Sequence, residues 1–107
     1  MKTPIDTAID IARAERETLR WVLLTALWHA RPYGTTEHVL CLAAQDAGLR
    51  ATSAEVRAEL DWLARHGLAD LERRERPLWE TQITAHGMAV YEYREDAPAG
   101  MARPPRW

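Results

Sequence analysis

The stretch Thr52-Ser53-Ala54-Glu55-Val56-Arg57-Ala58-Glu59-Leu60-Asp61-Trp62-Leu63-Ala64-Arg65-His66-Gly67-Leu68 opens and closes with punctuation that belongs to a helix. Thr52 and Glu55 have the spacing of a capping box: the hydroxyl accepts from the amide three residues on, and the carboxylate reaches back to the amide of Thr52. Gly67 stands where a helix ends in a left-handed residue. At 100° per residue Val56, Leu60, Leu63 and Ala64 share one face, and Ala54, Arg57, Ala58, Asp61 and Arg65 lie on the opposite or adjacent one. Trp62 and Glu55 occupy a third sector, from which Trp62 can pack beneath whatever follows Gly67.

Upstream, residues 6–30 read as a long amphipathic helix. Ile5, Ile9, Ala12, Leu19, Leu23, Ala26 and Ala30 recur at three- and four-residue steps. Trp21, Val22, Leu24, Leu27 and Trp28 widen the stripe until it nearly encircles the second half, which fits the centre of a core or a partner surface. Pro32 and Gly34 end it. A second helix follows, capped by Thr35 or Thr36, with Val39, Leu40, Ala43, Ala44 and Ala47 as apolar positions and Gly48 as its stop. Downstream, Leu68–Arg73 and Leu78–Thr84 read as two strands around the charged turn Arg74-Glu75-Arg76-Pro77, because Trp79, Thr81 and Ile83 alternate with Glu80 and Gln82. Thr84 caps a last helix from Ala85 to about Tyr93. Residues 1–94 therefore read as one domain, and residues 95–107, with three prolines and one glycine, as a flexible tail that orders only if something holds it.

The order helix, helix, helix, strand, turn, strand, helix predicts a mainly α chain with a β-hairpin. It is the winged helix-turn-helix arrangement: three helices, a two-stranded wing and a C-terminal helix. Residues 53–68 resemble the third helix of winged-helix regulators of the arsenical-repressor and multiple-antibiotic-resistance-repressor type, with a small-residue start, a Leu-x-x-Leu core and Gly-Leu entering the wing. Ile83-Thr84-x-x-Gly87 resembles the junction after the wing in the same superfamily. A sharper likeness is to small winged-helix proteins of Mu-like prophages, through Arg57-x-x-Leu60-x-Trp62-Leu63-x-x-x-Gly67-Leu68, the Thr84-x-x-Gly87 junction and a tail similar to Pro98-Ala99-Gly100-Met101-Ala102-Arg103-Pro104. This resemblance covers roughly residues 15–104 and implies a phage or prophage transcriptional regulator.

Composition narrows the chemistry. With 107 residues, 47% apolar and 28% charged, the chain has material for one core. Fourteen Lys and Arg against sixteen Asp and Glu give a net charge of -2, which excludes coating of nucleic acid by bulk charge. The single Cys41 excludes an internal disulfide and a cysteine-rich metal site, and His38, one turn earlier, adds only one further ligand. Cys41 beside Leu40 and Leu42 reads as a small core residue. No apolar run approaches the roughly 20 residues of a membrane span, and the start lacks a secretory pattern, so a cytoplasmic protein is expected. No phosphate loop, zinc-binding helix motif or nucleophile signature occurs, so no catalysis, metal or cofactor is expected.

The expected function is binding of double-stranded DNA by a homodimer. Arg57 would contact a phosphate or a guanine edge with Arg65 on the backbone nearby, Arg73, Arg74 and Arg76 at the hairpin tip would lie on the flanking backbone, and Arg50, Thr52 and Ser53 would meet a phosphate at the start of the third helix. The same spacing also fits a surface ladder, since Arg57 to Asp61 and Asp61 to Arg65 are four residues apart, and Asp61, Glu55 and Glu59 would repel phosphate. Dimer contacts are expected at Trp21, Trp28, Tyr91 and Tyr93, although packing within one chain accounts for many of the same residues. The alternative is a protein-interaction adaptor with a phage protein partner in DNA packaging or head assembly. Its grounds are the acidic balance and the apolar surplus of the first helix.

Overall fold

A computed structural model gives the fold; it describes residues 4–72 and 74–106, with side chains from residue 10 onward. The elements are α1 (Pro4–His29), β1 (Thr35–Thr36), α2 (Glu37–Asp46), α3 (Ser53–Arg65), β2 (Ala69–Glu72), β3 (Glu80–Ile83) and α4 (Ala85–Tyr91). The fold is a small mixture of four helices and one antiparallel sheet. That sheet has three strands in the order β1-β3-β2, where the sequence suggested two. Thr35 lies opposite Thr81 and Thr36 opposite Glu80, while Ala69 to Glu72 run against Ile83 to Glu80.

Each short helix begins on a threonine whose hydroxyl accepts an amide: Val39 at Thr36, Glu55 at Thr52 and Gly87 at Thr84. The capping box at Thr52 and Glu55 is complete, and Gly67 closes α3 at φ +72°, a value that L side chains disfavour. The core is aliphatic: Leu23, Leu24 and Leu27 of α1 meet Leu40 of α2, Val56, Leu60 and Leu63 of α3, then Leu68 and Val90, all fully buried.

The second helix is turned from its expected orientation. Glu37, Leu40 and Ala44 are its buried residues, whereas Val39 is 50% exposed and Leu42 48%. Glu37 takes the first inward position, so the inward row steps 37, 40, 44 and carries Val39 outward. Trp62 does not lie beneath the hairpin. It stacks on His66 with ring centroids 3.9 Å apart and holds the Arg20 guanidinium 4.3 Å from its ring.

Residues 95–106 form no helix or strand, and contacts with the body of the chain supply the hold that ordering of this tail was expected to need. Met101 is buried, and Ala102 donates its amide to the Glu17 carbonyl of α1. Arg103 donates to the Val90 and Glu95 carbonyls. Arg20 joins tail to body: it pairs with buried Glu59 at 2.7 Å and donates to the Gly100 carbonyl at 2.7 Å. Glu59 is thus an inward acid of the core rather than a surface charge of α3.

Candidate functional site

The residues expected to meet a ligand lie on α3, on the turn before it and on the hairpin turn after β2. At the centre of this face is Arg57, and its partner is neither Asp61 nor solvent. Its Nε and Nη2 donate to the Glu37 carboxylate at 2.6 and 2.5 Å, and Nη2 also donates to the Pro77 carbonyl at 2.8 Å. Glu37 is 3% exposed and accepts the Trp79 amide as well, at 2.9 Å. A buried carboxylate must be paired, and a bidentate guanidinium meets that need better than an exposed i,i+4 neighbour. Hydrogen bonds from Arg57 hold the Glu37 carboxyl below its ordinary value; burial pulls the other way, and the Trp79 amide adds to the lowering. The same pairing raises the Arg57 guanidinium.

The hairpin turn is bound to α3 through a second arginine. Arg74 pairs with Asp61 at 2.9 Å. The guanidinium carbons of Arg57 and Arg74 stand 4.9 and 5.6 Å from the Trp79 ring centroid. One tryptophan therefore carries two arginines, and an acid on each flank neutralises them. The surface ladder through Asp61 does not form: Asp61 is taken by the hairpin and Arg57 by α2.

The other expected contact residues are dispersed. Arg50, Arg65 and Arg76 are exposed and have no hydrogen bond or ion pair with the described residues. Arg50 lies just before α3 and Arg65 at its end, a helix of 13 residues and so roughly 20 Å long. The Thr52 hydroxyl is engaged with Glu55 in the cap, and Ser53 is exposed beside it. Arg73 lies outside the described residues. Glu55, Glu72 and Glu75, on the same segments of the chain, are exposed as well, so the described arginines that lack an ion pair alternate with acids along the sequence.

The aromatic residues expected at a dimer contact pack against one another within one chain. Trp21 stacks on Tyr91 at 5.2 Å and lies 6.3 Å from Tyr93. Trp28 lies 5.0 Å from Tyr91, donates its indole N–H to Glu92 at 2.9 Å and carries Arg31 over its ring at 3.6 Å. The Trp28 and Arg94 hydrogen bonds hold the Glu92 carboxyl below its ordinary value. The apolar surplus of the second half of α1 is thus covered by α4 and the tail.

Cys41 is half-buried, with its thiol 3.5 Å from the Ala51 carbonyl, and no group of three His, Cys, Asp or Glu could hold a metal among the described residues. No helix there is long and apolar enough to cross a membrane. What the sequence did not single out is Glu37, whose burial has no local signal, and the exposed apolar residues Val39, Leu42 and Leu78. Leu78 is 47% exposed and precedes Trp79, whose carbonyl accepts the Glu37 amide, so the hairpin turn runs beside the start of α2. No family model, curated protein or solved structure matches the chain.

Proposed function

We propose that this chain is a winged-helix module that binds another protein through the outer side of α2 and the hairpin turn. The observation that carries the reading is the pairing of Arg57 with Glu37 and of Arg74 with Asp61. It removes two central cations from the face that a duplex would meet. DNA binding by a small domain rests on unpaired cations that displace counterions from phosphates. A protein interface needs apolar anchors among paired charges, and Val39, Leu42 and Leu78 supply them, each about half exposed. The resemblance to small proteins of Mu-like prophages is the ground for seeking the partner among proteins of DNA packaging or head assembly.

The second reading, duplex binding by a homodimer, is favoured by Arg50, Arg65 and Arg76, which have no ion pair among the described residues. One pair of measurements separates the two. Anisotropy of a labelled duplex at about 50 mM salt, where non-specific binding is strongest, is expected to show no saturable binding. Leu42→Asp is expected to abolish association in pairwise tests against the packaging and head proteins of a Mu-like prophage. Duplex binding that disappears in the Arg50→Ala/Arg65→Ala/Arg76→Ala variant would overturn the protein reading in favour of DNA.

A further inference from the structure

A cleft of about 700 Å³ opens between the end of α1, the turn after it, the hairpin and the start of α4. That volume lies within the range of pockets that hold small molecules. Its floor is apolar: Leu27 and Ile83 are buried and Met88 is half-buried. Two charged residues, Arg31 and Asp70, are among its lining, and they differ in how far they are already committed. Arg31 is fixed to the wall. Its Nε donates to the Trp28 carbonyl at 2.8 Å, its guanidinium lies 3.6 Å from the Trp28 ring centroid, and its Nη1 stands 3.7 Å from the Glu92 carboxylate. Asp70 is exposed, and its carboxylate has no hydrogen bond or ion pair among the described residues.

Directly across the hairpin from Asp70 stands Gln82, so the two side chains share one face of the sheet. Gln82 Nε2 donates to the Pro32 carbonyl at 2.6 Å, which leaves Oε1 as an acceptor without a donor among the described residues. The Thr84 hydroxyl, also in the lining, is engaged: it donates to the Gly67 carbonyl and accepts the Gly87 amide. The acceptors left open beside the apolar floor are therefore a carboxylate and an amide oxygen. An adjoining hollow shares Gly34 and Gln82 with the cleft and adds Glu72 and Glu80, with no basic residue in its described lining. A ligand carboxylate would meet these acids, whereas a cation is drawn to them.

We propose that the cleft binds a small organic amine, its apolar body on Leu27, Ile83 and Met88 and its ammonium held by Asp70 and Gln82. An ammonium carries three donors on one compact charge, enough to meet the carboxylate and the amide oxygen together. The site is independent of what α2 and the hairpin turn bind.

Amide-resolved NMR titration of the full chain tests it, with phenylbutylamine, phenylbutanol and phenylbutyrate as probes of similar body and different head. The amine is expected to bind saturably, with a Kd on the order of 1 mM for so small a molecule, and to shift the amides of residues 31–34 and 82–88. The alcohol should bind more weakly and the acid weakest. Asp70→Asn should weaken amine binding about three- to fivefold, the worth of an exposed ion pair, and Asp70→Lys should reverse the preference toward phenylbutyrate. Asp70 is exposed, so both variants keep the fold, which the remaining amide shifts verify. Ala85→Trp, at an exposed position of the lining, should fill the cleft and abolish binding. Absence of saturable amine shifts at about tenfold that Kd overturns the proposal. So does phenylbutyrate bound as tightly as the amine, an order of affinities that Asp70→Lys leaves unchanged, or amine shifts that fall on α2 instead of the cleft.

Discussion

Replacing Glu37 with Gln keeps the outline of the side chain and removes its charge, so it isolates what the carboxylate does for the hairpin. Glu37 accepts two hydrogen bonds from Arg57 and one from the Trp79 amide. Gln offers a single acceptor oxygen and turns an N–H₂ group toward donors, so at least one of the three bonds is lost. Hydrogen bonds to charged groups contribute about 1.5–3 kcal/mol each. The Arg57 side chain is 37% exposed, so water replaces part of the loss, and the expected destabilisation is about 2 kcal/mol. For a domain of this size that lowers Tm by roughly 8–15 °C near neutral pH.

The pH dependence carries the sharper test. The folded-state pKa of Glu37 lies below the ordinary 4.5. Its contribution is therefore fully present above that value and fades as pH falls through the folded-state pKa. The Tm gap between wild type and Glu37→Gln should be widest near neutral pH and close in acid. Glu92, lowered in the same direction, is common to both proteins and cancels in the difference. Thermal melts across pH, with amide exchange of residues 74–79 read alongside, measure both parts. A gap that stays constant into acid, or exchange in the hairpin turn that does not rise, would refute the reasoning that this acid holds the turn to α3.

Three further outcomes follow from single contacts. Thr52→Ala removes the hydroxyl that caps α3 and should lower stability by about 1 kcal/mol, while Thr52→Ser should retain most of it; chemical denaturation compares them. Gly87→Ala would set a methyl group 2.1 Å from the Leu68 carbonyl oxygen and 2.8 Å from Ile83 Cγ1, an overpacking expected to destabilise by about 3 kcal/mol; a Tm within 2–3 °C of wild type, roughly the shift of half a kcal/mol, would contradict that geometry. Arg20→Met and Glu59→Leu should each destabilise by about 3–5 kcal/mol, because each strands a buried charge, and the double variant should lose clearly less than their sum. Strict additivity of the two would show that the pair is not coupled.

Local chemistry made much of this fold legible. Threonine hydroxyls at 36, 52 and 84, the acid at 55 and the glycine at 67 act within four residues of themselves, so spacing alone located two helix starts and one stop and left the third start open between Thr35 and Thr36. What escaped depends on partners distant in sequence. β1 is two threonines whose strand character exists only because Thr81 and Glu80 pair with them. Arg57 sits at ladder spacing to Asp61, yet Glu37, twenty residues earlier, claims it, because the buried carboxylate has no other counter-ion among the described residues. The rotation of α2 has the same origin: a charged residue took an inward position that periodicity reserves for apolar ones. Gly100 looked like a linker residue because the Arg20 side chain that donates to its carbonyl is eighty positions away.

The two arginines of the hairpin face are not equally committed, and this decides what a polyanion could gain there. Asp61 and Arg74 are 40% and 51% exposed, a surface pair whose separation costs about 0–1 kcal/mol, so a phosphate could draw Arg74 away. Drawing Arg57 away would leave Glu37 charged and buried with only the Trp79 amide as partner, and would release the turn that Arg57 holds at Pro77. A duplex on this face would therefore meet the middle of α3 as Ala54, Ala58 and a freshly unpaired Asp61, with Arg50, Arg65 and Arg76 as the cations of this face that lack an ion pair among the described residues. The interactions that fix the hairpin against α3 are also the ones that neutralise Arg57 and Arg74. A surface built this way favours a partner that reads shape and apolar anchors over one that reads phosphate.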